Sequence, residues 1–476
     1  MIEFYFKYNR RDFKKKSIQL AEELLLIFAH EGIKLSETNS IEICEEYKGH
    51  LSKDTFTLLN SIYFTIRENN GKDNPLLRKY LPELKTKPES DFLFADFFSG
   101  AGGLSQGLID AGFSPAFVND NYTCALETYY FNHSLSLDYF YNGDIRDLVE
   151  NFSEYKHLFE NIKIIVGGPP CQGFSTANRW NFEIEKDTQE KRFIEDKRNI
   201  LYKYFVKLLG LIKPDFFIME NVKGMMRVEK QIEEDILKEA DQGYSFVPLL
   251  VDAQCFDIPQ SRKRYILVGG KDFMFNKQVE ITINAKKDSK SKYKLKDALF
   301  GLPEIGTNPV KLNPNLENGI NGYTINKLKV SQNEFLNEIN NGKDISYLFN
   351  HKSRYNNEND LEIFKRLKPG EDSTASSIQD ILKYKNREDI FKDKYKKLRE
   401  DEICKTITSH MKYDCHMYIH PTQVRGLSPR EAARIQTFPD DYLFRGALND
   451  WYYQIGNAVP VKLAYVISKT IKKFYK

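Results

Sequence analysis

This 476-residue chain has few of the sequence features that would directly assign a protein to a functional class. Its six cysteines include no Cys-x-x-Cys pair, which predicts reduced thiols in a cytoplasm. No apolar run is as long as a membrane span, and the N-terminus lacks the apolar core of a signal peptide. The formal net charge is only +3, so a site for a polyanion must come from local clustering. These absences predict a cytoplasmic protein without a membrane partner.

What is present is typical of a globular protein with more than one domain. Hydrophobic residues make up 41% and charged residues 29% of a chain long enough for two or three domains. The 28 tyrosines and 34 phenylalanines exceed the needs of a core, which leaves aromatic rings for stacking.

The chain is organised around the turn 167–175, Gly-Gly-Pro-Pro-Cys-Gln-Gly-Phe-Ser. The apolar run 162–166 before it predicts a buried strand, which the glycines and prolines stop. The turn brings Cys171 to the carboxyl edge of a parallel sheet, where open α/β sheets bind ligands. From these residues alone, a nucleophilic thiolate and a buried core cysteine are about equally supported.

A glycine-rich turn and two acids predict a cofactor site at the same edge. Residues 91–112 read as strand, turn and helix, with the turn at 99–103 allowing close approach of a ligand to the backbone. Asp120 ends a short strand about twenty residues later, a spacing that suits a ribose hydroxyl pair, and Asp144 could reach an adenine amino group. Each acid alone is more often a helix cap. Together with the turn they favour an adenosine-containing cofactor.

Glu220 closes another buried strand, 216–219, at the edge expected for Cys171. Burial of an unpaired carboxyl favours its protonated form, so Glu220 is a candidate acid, and a salt-bridged structural glutamate is the alternative. Alternation along the strand that includes 265–268 predicts Gln260, Arg262 and Arg264 on one face.

The remaining regions are basic and less regular. Residues 1–90 read as helical, and their basic arm at 7–16 is either a solvated end or a DNA contact. The charged loop 176–197 could close over a polyanion. Residues 271 to about 400 predict a second, irregular domain with a basic surface. His410, Cys415, His416 and His420 match no trusted zinc spacing.

Six short motifs are spread over more than half of the chain, and their occurrence in this order is specific to one protein family. They are Asp96-Phe-Phe-Ser-Gly-Ala-Gly-Gly103, Pro169-Pro-Cys-Gln-Gly-Phe174, Glu220-Asn-Val222, Gln260-x-Arg262-x-Arg264, Arg430-Glu-Ala-Ala-Arg-Ile-Gln436 and Gly456-Asn-Ala-Val-Pro460. In this order they resemble the DNA (cytosine-5)-methyltransferase family, over roughly 91–270 and 402–476.

The resemblance implies an α/β fold with a Rossmann-like sheet covered by helices on both faces. It implies a helical extension at 1–90, a catalytic domain at 91–270, a target-recognition domain at 271–420 and a C-terminal segment, 421–476, that returns to the catalytic domain. It also implies S-adenosylmethionine as the cofactor. The residues expected to bind it are Phe98, Ser99, Gly100, Gly102, Gly103, Asp120, Asp144, Ile145, Pro170, Leu201 and Asn457.

The resemblance further implies that Cys171 attacks carbon 6 of a flipped-out cytosine in double-stranded DNA. Glu220 would act at ring nitrogen 3, Arg262 would contact the base oxygen and help hold the thiolate, and Arg264 would support it. The enzyme would be a monomer. It would belong to a restriction-modification system, in which a cognate endonuclease acts on the same site. The alternatives are a tRNA (cytosine-5)-methyltransferase and a catalytically silent DNA-binding regulator.

Overall fold

The computed structural model describes most of the chain. The described residues are 1–36, 45–70, 74–81, 86, 90–170, 200–240, 243–271, 273–311, 313–317, 319–382 and 394–474. Cys171 and the charged loop 176–197 lie outside them. Within these ranges, no helix has the length and apolarity needed to cross a bilayer.

Seven strands form one sheet in the order β3-β2-β1-β4-β5-β7-β6. Their bounds are β1 (Leu93–Phe97), β2 (Ser114–Asp120), β3 (Phe140–Asn142), β4 (Ile162–Gly167), β5 (Phe216–Val222), β6 (Ser245–Asp252) and β7 (Lys263–Gly270). Strands β1 to β5 pair in parallel, whereas β7 is antiparallel to both β5 and β6. The predicted strands that end near Asp120, residue 167 and Glu220 are confirmed.

Helices cover both faces of this sheet. The helices are α1 (Ile2–Tyr8), α2 (Phe13–Glu31), α3 (Glu45–Lys48), α4 (Lys53–Asn70), α5 (Pro75–Arg78), α6 (Gly103–Asp110), α7 (Thr123–Asn132), α8 (Ile145–Glu150), α9 (Phe152–Tyr155), α10 (Leu201–Ile212), α11 (Glu229–Glu239), α12 (Phe273–Asn284), α13 (Leu295–Leu299), α14 (Glu334–Ile339), α15 (Glu358–Arg366), α16 (Pro429–Ile435), α17 (Leu448–Asn457) and α18 (Val461–Phe474). Helices α8, α10 and α11 pack on one face, and α6, α12 and α18 pack on the other. The doubly covered α/β sheet expected from the sequence is therefore confirmed.

Helix α12 packs on the sheet, after the domain boundary predicted at residue 270. Its side chains Val279 and Ile283 are buried with those of the sheet, and the predicted boundary stays a prediction. Beyond it, β8 (Gly322–Lys327) and β9 (Tyr347–Lys352) form a separate antiparallel ribbon. The C-terminal segment shares a hydrophobic core with α13 and α14, which joins the two domains.

Two local predictions have different outcomes at the C-terminus. Ser428 and Glu431 form a capping box at the start of α16, as the sequence indicates. By contrast, the residues 454–460, Gln-Ile-Gly-Asn-Ala-Val-Pro, predict a turn before the last helix, whereas Gln454–Asn457 are the last part of helix α17. Ile455 is fully buried there, so packing favours the helix.

The N-terminal residues form helices, as predicted, and α2 ends at Gly32 in the left-handed conformation. The basic arm is only partly free. Lys7 donates a hydrogen bond to the carbonyl of Leu137, and Lys16 pairs with Glu127, whereas Arg10, Arg11, Lys14 and Lys15 are exposed.

Candidate active site

The turn after β1 lies at the carboxyl edge of the parallel strands. It is held by hydrogen bonds from Ser99 N–H to the carbonyl of Asn119 (3.0 Å) and from Gly102 N–H to the carbonyl of Ser99 (3.0 Å). Gly102 has a φ of +85°, and a Cβ there would lie 2.9 Å from both Tyr129 and the Tyr442 hydroxyl. Only glycine fits at position 102. The packing around the turn therefore explains why the sequence has a glycine there.

Phe98 adopts a backbone conformation that is rare for a residue with a side chain. Its φ is +57°, and its ring packs against the core on one face of the sheet. Such strain persists where the surroundings enforce it, which is common at ligand sites. The sequence predicted that this ring lies against an adenine.

Asp120 links β2 to the glycine turn. Its carboxylate accepts hydrogen bonds from Gly100 N–H and from Tyr122 N–H, both at 2.8 Å. Burial raises the pKa of Asp120, and these hydrogen bonds oppose the shift. Each carboxylate oxygen keeps a further lone pair, so Asp120 can still accept a hydroxyl hydrogen.

Asp144 has a local partner. Its carboxylate caps α8 and receives the Arg146 guanidinium at 2.9 Å and 2.6 Å, which lowers the pKa of Asp144. This is the helix-cap alternative that the sequence left open. An adenine contact by Asp144, as predicted from the resemblance, would have to share this carboxylate with Arg146.

The other residues expected to bind the cofactor differ in exposure. Ile145 is buried in the sheet core and Leu201 is partly buried against it. Pro170 follows β4 and Asn457 is the last residue of α17, and both are exposed. These four assignments stay predictions.

The turn that leads from β4 to residue 171 is anchored on β5. The amide of Asn221 donates a hydrogen bond to the carbonyl of Pro169 (3.0 Å). A Cβ built at Gly168 would lie 3.3 Å from an oxygen of Glu220, so this backbone lies directly against the carboxylate. The anchoring role of Asn221 was missed, although its place next to Glu220 was a signal.

Glu220 is ion-paired. Its carboxylate lies 2.9 Å from Nε of Arg264, and both side chains are mostly buried, with 12% and 14% exposed. This is the salt-bridged alternative that the sequence left open. The role of Glu220 as an acid stays a prediction. The pair nevertheless lies at the functional edge, where it could contact a polar ring.

Arg262 is held by backbone carbonyls. Its guanidinium donates to the carbonyls of Ile407 (2.5 Å), Gly456 (3.2 Å) and Ala458 (2.9 Å). The residue is 1% exposed, and burial lowers its pKa. Arg262 thus joins the start of β7 to two C-terminal segments. Its contact with a base oxygen stays a prediction.

A buried polar chain under the glycine turn was not predicted. Asp96 accepts a hydrogen bond from the Ser105 hydroxyl (2.6 Å), which in turn accepts one from the Tyr129 hydroxyl (2.9 Å). Burial raises the pKa of Asp96 to about 8, and its second carboxylate oxygen has no hydrogen-bond partner. An orphaned buried acceptor beside a ligand turn fits a site that receives a polar or cationic group.

Chemically, this edge offers hydrogen-bond acceptors for a nucleoside on one side and an arginine–carboxylate pair on the other. The two parts are joined by the strand order, since β4 lies between β1 and β5. In the described ranges, no group of three histidine, cysteine or acidic side chains could hold a metal ion. The arrangement suits group transfer to a polar ring.

Comparison with known proteins agrees with this chemistry. The family model for C-5 cytosine-specific DNA methylase matches residues 92–473. The type II methyltransferase M.Bpa9945I of Bacillus paralicheniformis is 30% identical over 68% of this chain and 73% of its own length. The type II methyltransferase M.DdeI of Desulfomicrobium norvegicum is 27% identical over 80% of this chain and 88% of its own.

A solved structure shares the fold. It is the crystal structure of a candidate DNA modification methyltransferase encoded within a prophage (E. coli), with a TM-score of 0.59 and 25% identity. The match covers 80% of this chain and 99% of that one. Since the family model matches well over half of the residues, the chain belongs to the C-5 cytosine-specific DNA methylase family.

Proposed function

We propose that the protein transfers a methyl group from S-adenosylmethionine to carbon 5 of a flipped-out cytosine in duplex DNA, through a covalent adduct on Cys171. The observation that carries this proposal is the Glu220–Arg264 pair beside Gly168. It lies where the β4 turn leads toward residue 171, at the same sheet edge as the glycine turn and Asp120.

The residues at the glycine turn fit the cofactor. Asp120 would accept the ribose hydroxyls while it holds Gly100 N–H, and Phe98 would lie against the adenine. Asp144, Ile145, Pro170, Leu201 and Asn457 would complete the pocket together with Ser99, Gly102 and Gly103. When bound, S-adenosylmethionine supplies a methyl group activated by a sulfonium.

On the other side, carbon 5 of cytosine is a weak nucleophile and must be activated. The Cys171 thiolate would add to carbon 6, and Glu220, once protonated, would donate a hydrogen bond or its proton to ring nitrogen 3, where negative charge develops. Arg264, rather than Arg262, would contact the base oxygen because its guanidinium lies on Glu220. Carbon 5 would then bond to the methyl carbon as the bond between that carbon and the sulfonium sulfur breaks, which leaves S-adenosylhomocysteine. A base would take the carbon-5 proton, and the electron pair left behind would expel the Cys171 thiolate from carbon 6.

The DNA must expose its base for this chemistry. Flipping a cytosine out of a duplex costs a few kcal/mol, which contacts with the protein repay. The loop 175–197 is our candidate for closing behind the extruded base, and residues 271–420 would read the flanking bases in the major groove. The length of that basic region favours duplex DNA over tRNA, because an RNA enzyme of this family is expected to have a short one.

The biological setting follows from the relatives, which are named type II methyltransferases. By analogy, this protein would protect host DNA in a restriction-modification system, acting as a monomer in the bacterial cytoplasm where its DNA is found. A cognate endonuclease would act on the same sites without a stable complex.

Transfer of a tritiated methyl group tests the proposal against its alternatives. Wild-type protein should label duplex DNA, leave tRNA unlabelled, and lose all activity in Cys171→Ser while binding of DNA and cofactor remains. Labelling of tRNA would favour the RNA enzyme, and DNA binding without labelling would favour the silent regulator.

A further inference from the structure

The residues before the family match pack on the cofactor side of the sheet. Phe4 of α1 stacks on Tyr130 of α7 with ring centroids 5.7 Å apart, and the Tyr8 hydroxyl donates to the carbonyl of Phe140 in β3 (2.8 Å). One hydrophobic core holds buried side chains of α1, α2 and α4 together with those of α7. These N-terminal helices are thus continuous with the catalytic domain.

A buried ion cluster crosses this junction at Arg445. Its guanidinium binds both carboxylate oxygens of Glu23 on α2 (2.7 Å each) and one oxygen of Glu127 on α7 (3.1 Å). The Tyr5 hydroxyl accepts a further hydrogen bond from Arg445 (2.7 Å) and donates one to Glu127 (2.8 Å). With Lys16 beside Glu127, two cations face two carboxylates. Three members of the cluster, Tyr5, Lys16 and Glu23, come from the N-terminal helices.

The backbone of Arg445 extends the cluster to two catalytic helices. Its N–H donates to the Thr128 hydroxyl on α7 (2.8 Å), and its carbonyl accepts from the Gln454 amide on α17 (2.9 Å). The side chains of Thr128 and Gln454 also contact each other directly (2.6 Å). Helices α7 and α17 are therefore joined both directly and through Arg445.

One end of each of these two helices lies at the proposed cofactor site. Helix α7 begins directly after the loop that follows Asp120, and α17 ends at Asn457. The Tyr122 hydroxyl in that loop donates to Asp450 of α17 (2.5 Å). A shift of Arg445 would therefore displace α7 and α17, and with them the proposed cofactor residues Asp120 and Asn457.

We propose that the N-terminal helices act as a brace for the cofactor site, with Glu23 as a positioning residue that fixes Arg445 and, through it, helices α7 and α17. This inference rests on the proposed function, because it takes that edge as the place where S-adenosylmethionine binds. It assigns to residues 1–81 a role in cofactor affinity and none in reading the DNA sequence.

The test compares Glu23→Gln with Glu22→Gln, the same change at an exposed neighbour on the same helix. Binding of S-adenosylmethionine is measured by calorimetry, DNA binding without cofactor by fluorescence anisotropy, and unfolding by a thermal melt. Glu23→Gln should raise the Kd for S-adenosylmethionine about tenfold and leave DNA affinity unchanged, whereas Glu22→Gln should change neither. Tyr5→Phe, which removes one hydroxyl and keeps the ring, should raise the same Kd severalfold if Glu23→Gln does not fold.

Three results would overturn the brace. One is a lower unfolding temperature with an unchanged Kd for S-adenosylmethionine, which is what a purely structural role gives. Another is weaker DNA binding with unchanged cofactor binding. The third is an equal effect of Glu22→Gln. A wild-type protein that binds no S-adenosylmethionine would instead reject the proposed function, so the two failures are distinguishable.

Discussion

The guanidinium of Arg264 lies diagonally across an antiparallel strand pair from the carboxylate of Glu220, at 2.9 Å. Glu220 faces Ile266 in the register, and Arg264 faces Val222, so the two side chains project from the same face of the sheet. The pair orients both groups before any substrate arrives. Preorganised charge of this kind is usually the largest single contribution to catalysis.

Two arginines, two positions apart, should respond differently to the same substitution. Arg264→Gln should lower kcat about 100-fold with little loss of stability, because it removes a donor from the reaction site. Arg262→Gln should destabilise the fold by about 3 kcal/mol, because buried carbonyls lose their donor. Methyl-transfer kinetics and denaturant unfolding of both variants measure the contrast. If Arg262→Gln keeps full stability and loses activity, our exchange of roles is wrong.

Replacing the carboxyl of Glu220 by an amide tests its proposed role as an acid at the base. Glu220→Gln keeps the shape of the side chain but has no acidic proton to donate, so kcat should fall at least about 100-fold. The Kd for S-adenosylmethionine should stay constant, because Glu220 is not among the residues proposed to bind it. Single-turnover methyl transfer measures the rate. A reduction smaller than about tenfold would assign the activation of the ring to another group.

Asp120→Asn should weaken cofactor binding more than the same change at Asp144. The amide would turn a donor toward Gly100 N–H or Tyr122 N–H, and the KM for S-adenosylmethionine should rise at least about tenfold. Asp144→Asn should raise this KM less, since that carboxylate is shared with Arg146. Steady-state kinetics with both variants decide the order, and a larger effect at Asp144 would reverse our assignment.

Stability should fall as the pH drops from about 6.5 to about 4, in part because of His351. Its ring lies 2.9 Å from the Pro303 carbonyl and 2.9 Å from the Ser428 hydroxyl, and burial lowers its pKa from 6.5 to about 4. The carbonyl can only accept, so Nε2 donates and the ring is neutral. The unfolded state therefore binds a proton first, and stability present above pH 6.5 is lost toward pH 4.

Substitution of His351 isolates its contribution to the pH dependence of stability. His351→Gln should remove roughly 3 kcal/mol of the pH dependence of the unfolding free energy across that window. Urea unfolding at several pH values, for wild type and variant, gives the two curves. Parallel curves would show that His351 does not titrate on unfolding.

Where a strand ends could be predicted from the sequence, because apolar runs and glycine or proline signals are local. This placed Asp120, Gly168 and Glu220 correctly at one edge. The capping box at Ser428 and the end of α2 at Gly32 are equally local. These features need only neighbouring residues to form.

The backbone contacts of Arg262 could not be predicted, because they depend on a distant segment. Residues near Ile407 pair with the backbone around Gln260, whose amide nitrogen also reaches Gln436 (2.9 Å). That pairing turns Arg262 into the core before β7 begins at Lys263. Alternation along one strand carries no information about such long-range contacts.

The N-terminal helices show the same limit. The sequence left the basic arm open between a solvated end and a DNA contact, whereas Lys16 pairs with Glu127. Glu23 lies in an amphipathic helix and gave no signal, because its partner Arg445 is 422 residues away. Interactions across such distances follow only from the folded chain.

The most direct test of the central claim is a covalent trap on duplex DNA that contains 5-fluorocytosine. Fluorine at carbon 5 cannot leave as a proton does, so the adduct with the enzyme should persist after methyl transfer. Peptide mass spectrometry should then find the modified base on Cys171. An adduct on Cys255, which is buried and donates to the carbonyl of Lys287, or methyl transfer without any trapped adduct, would contradict the account.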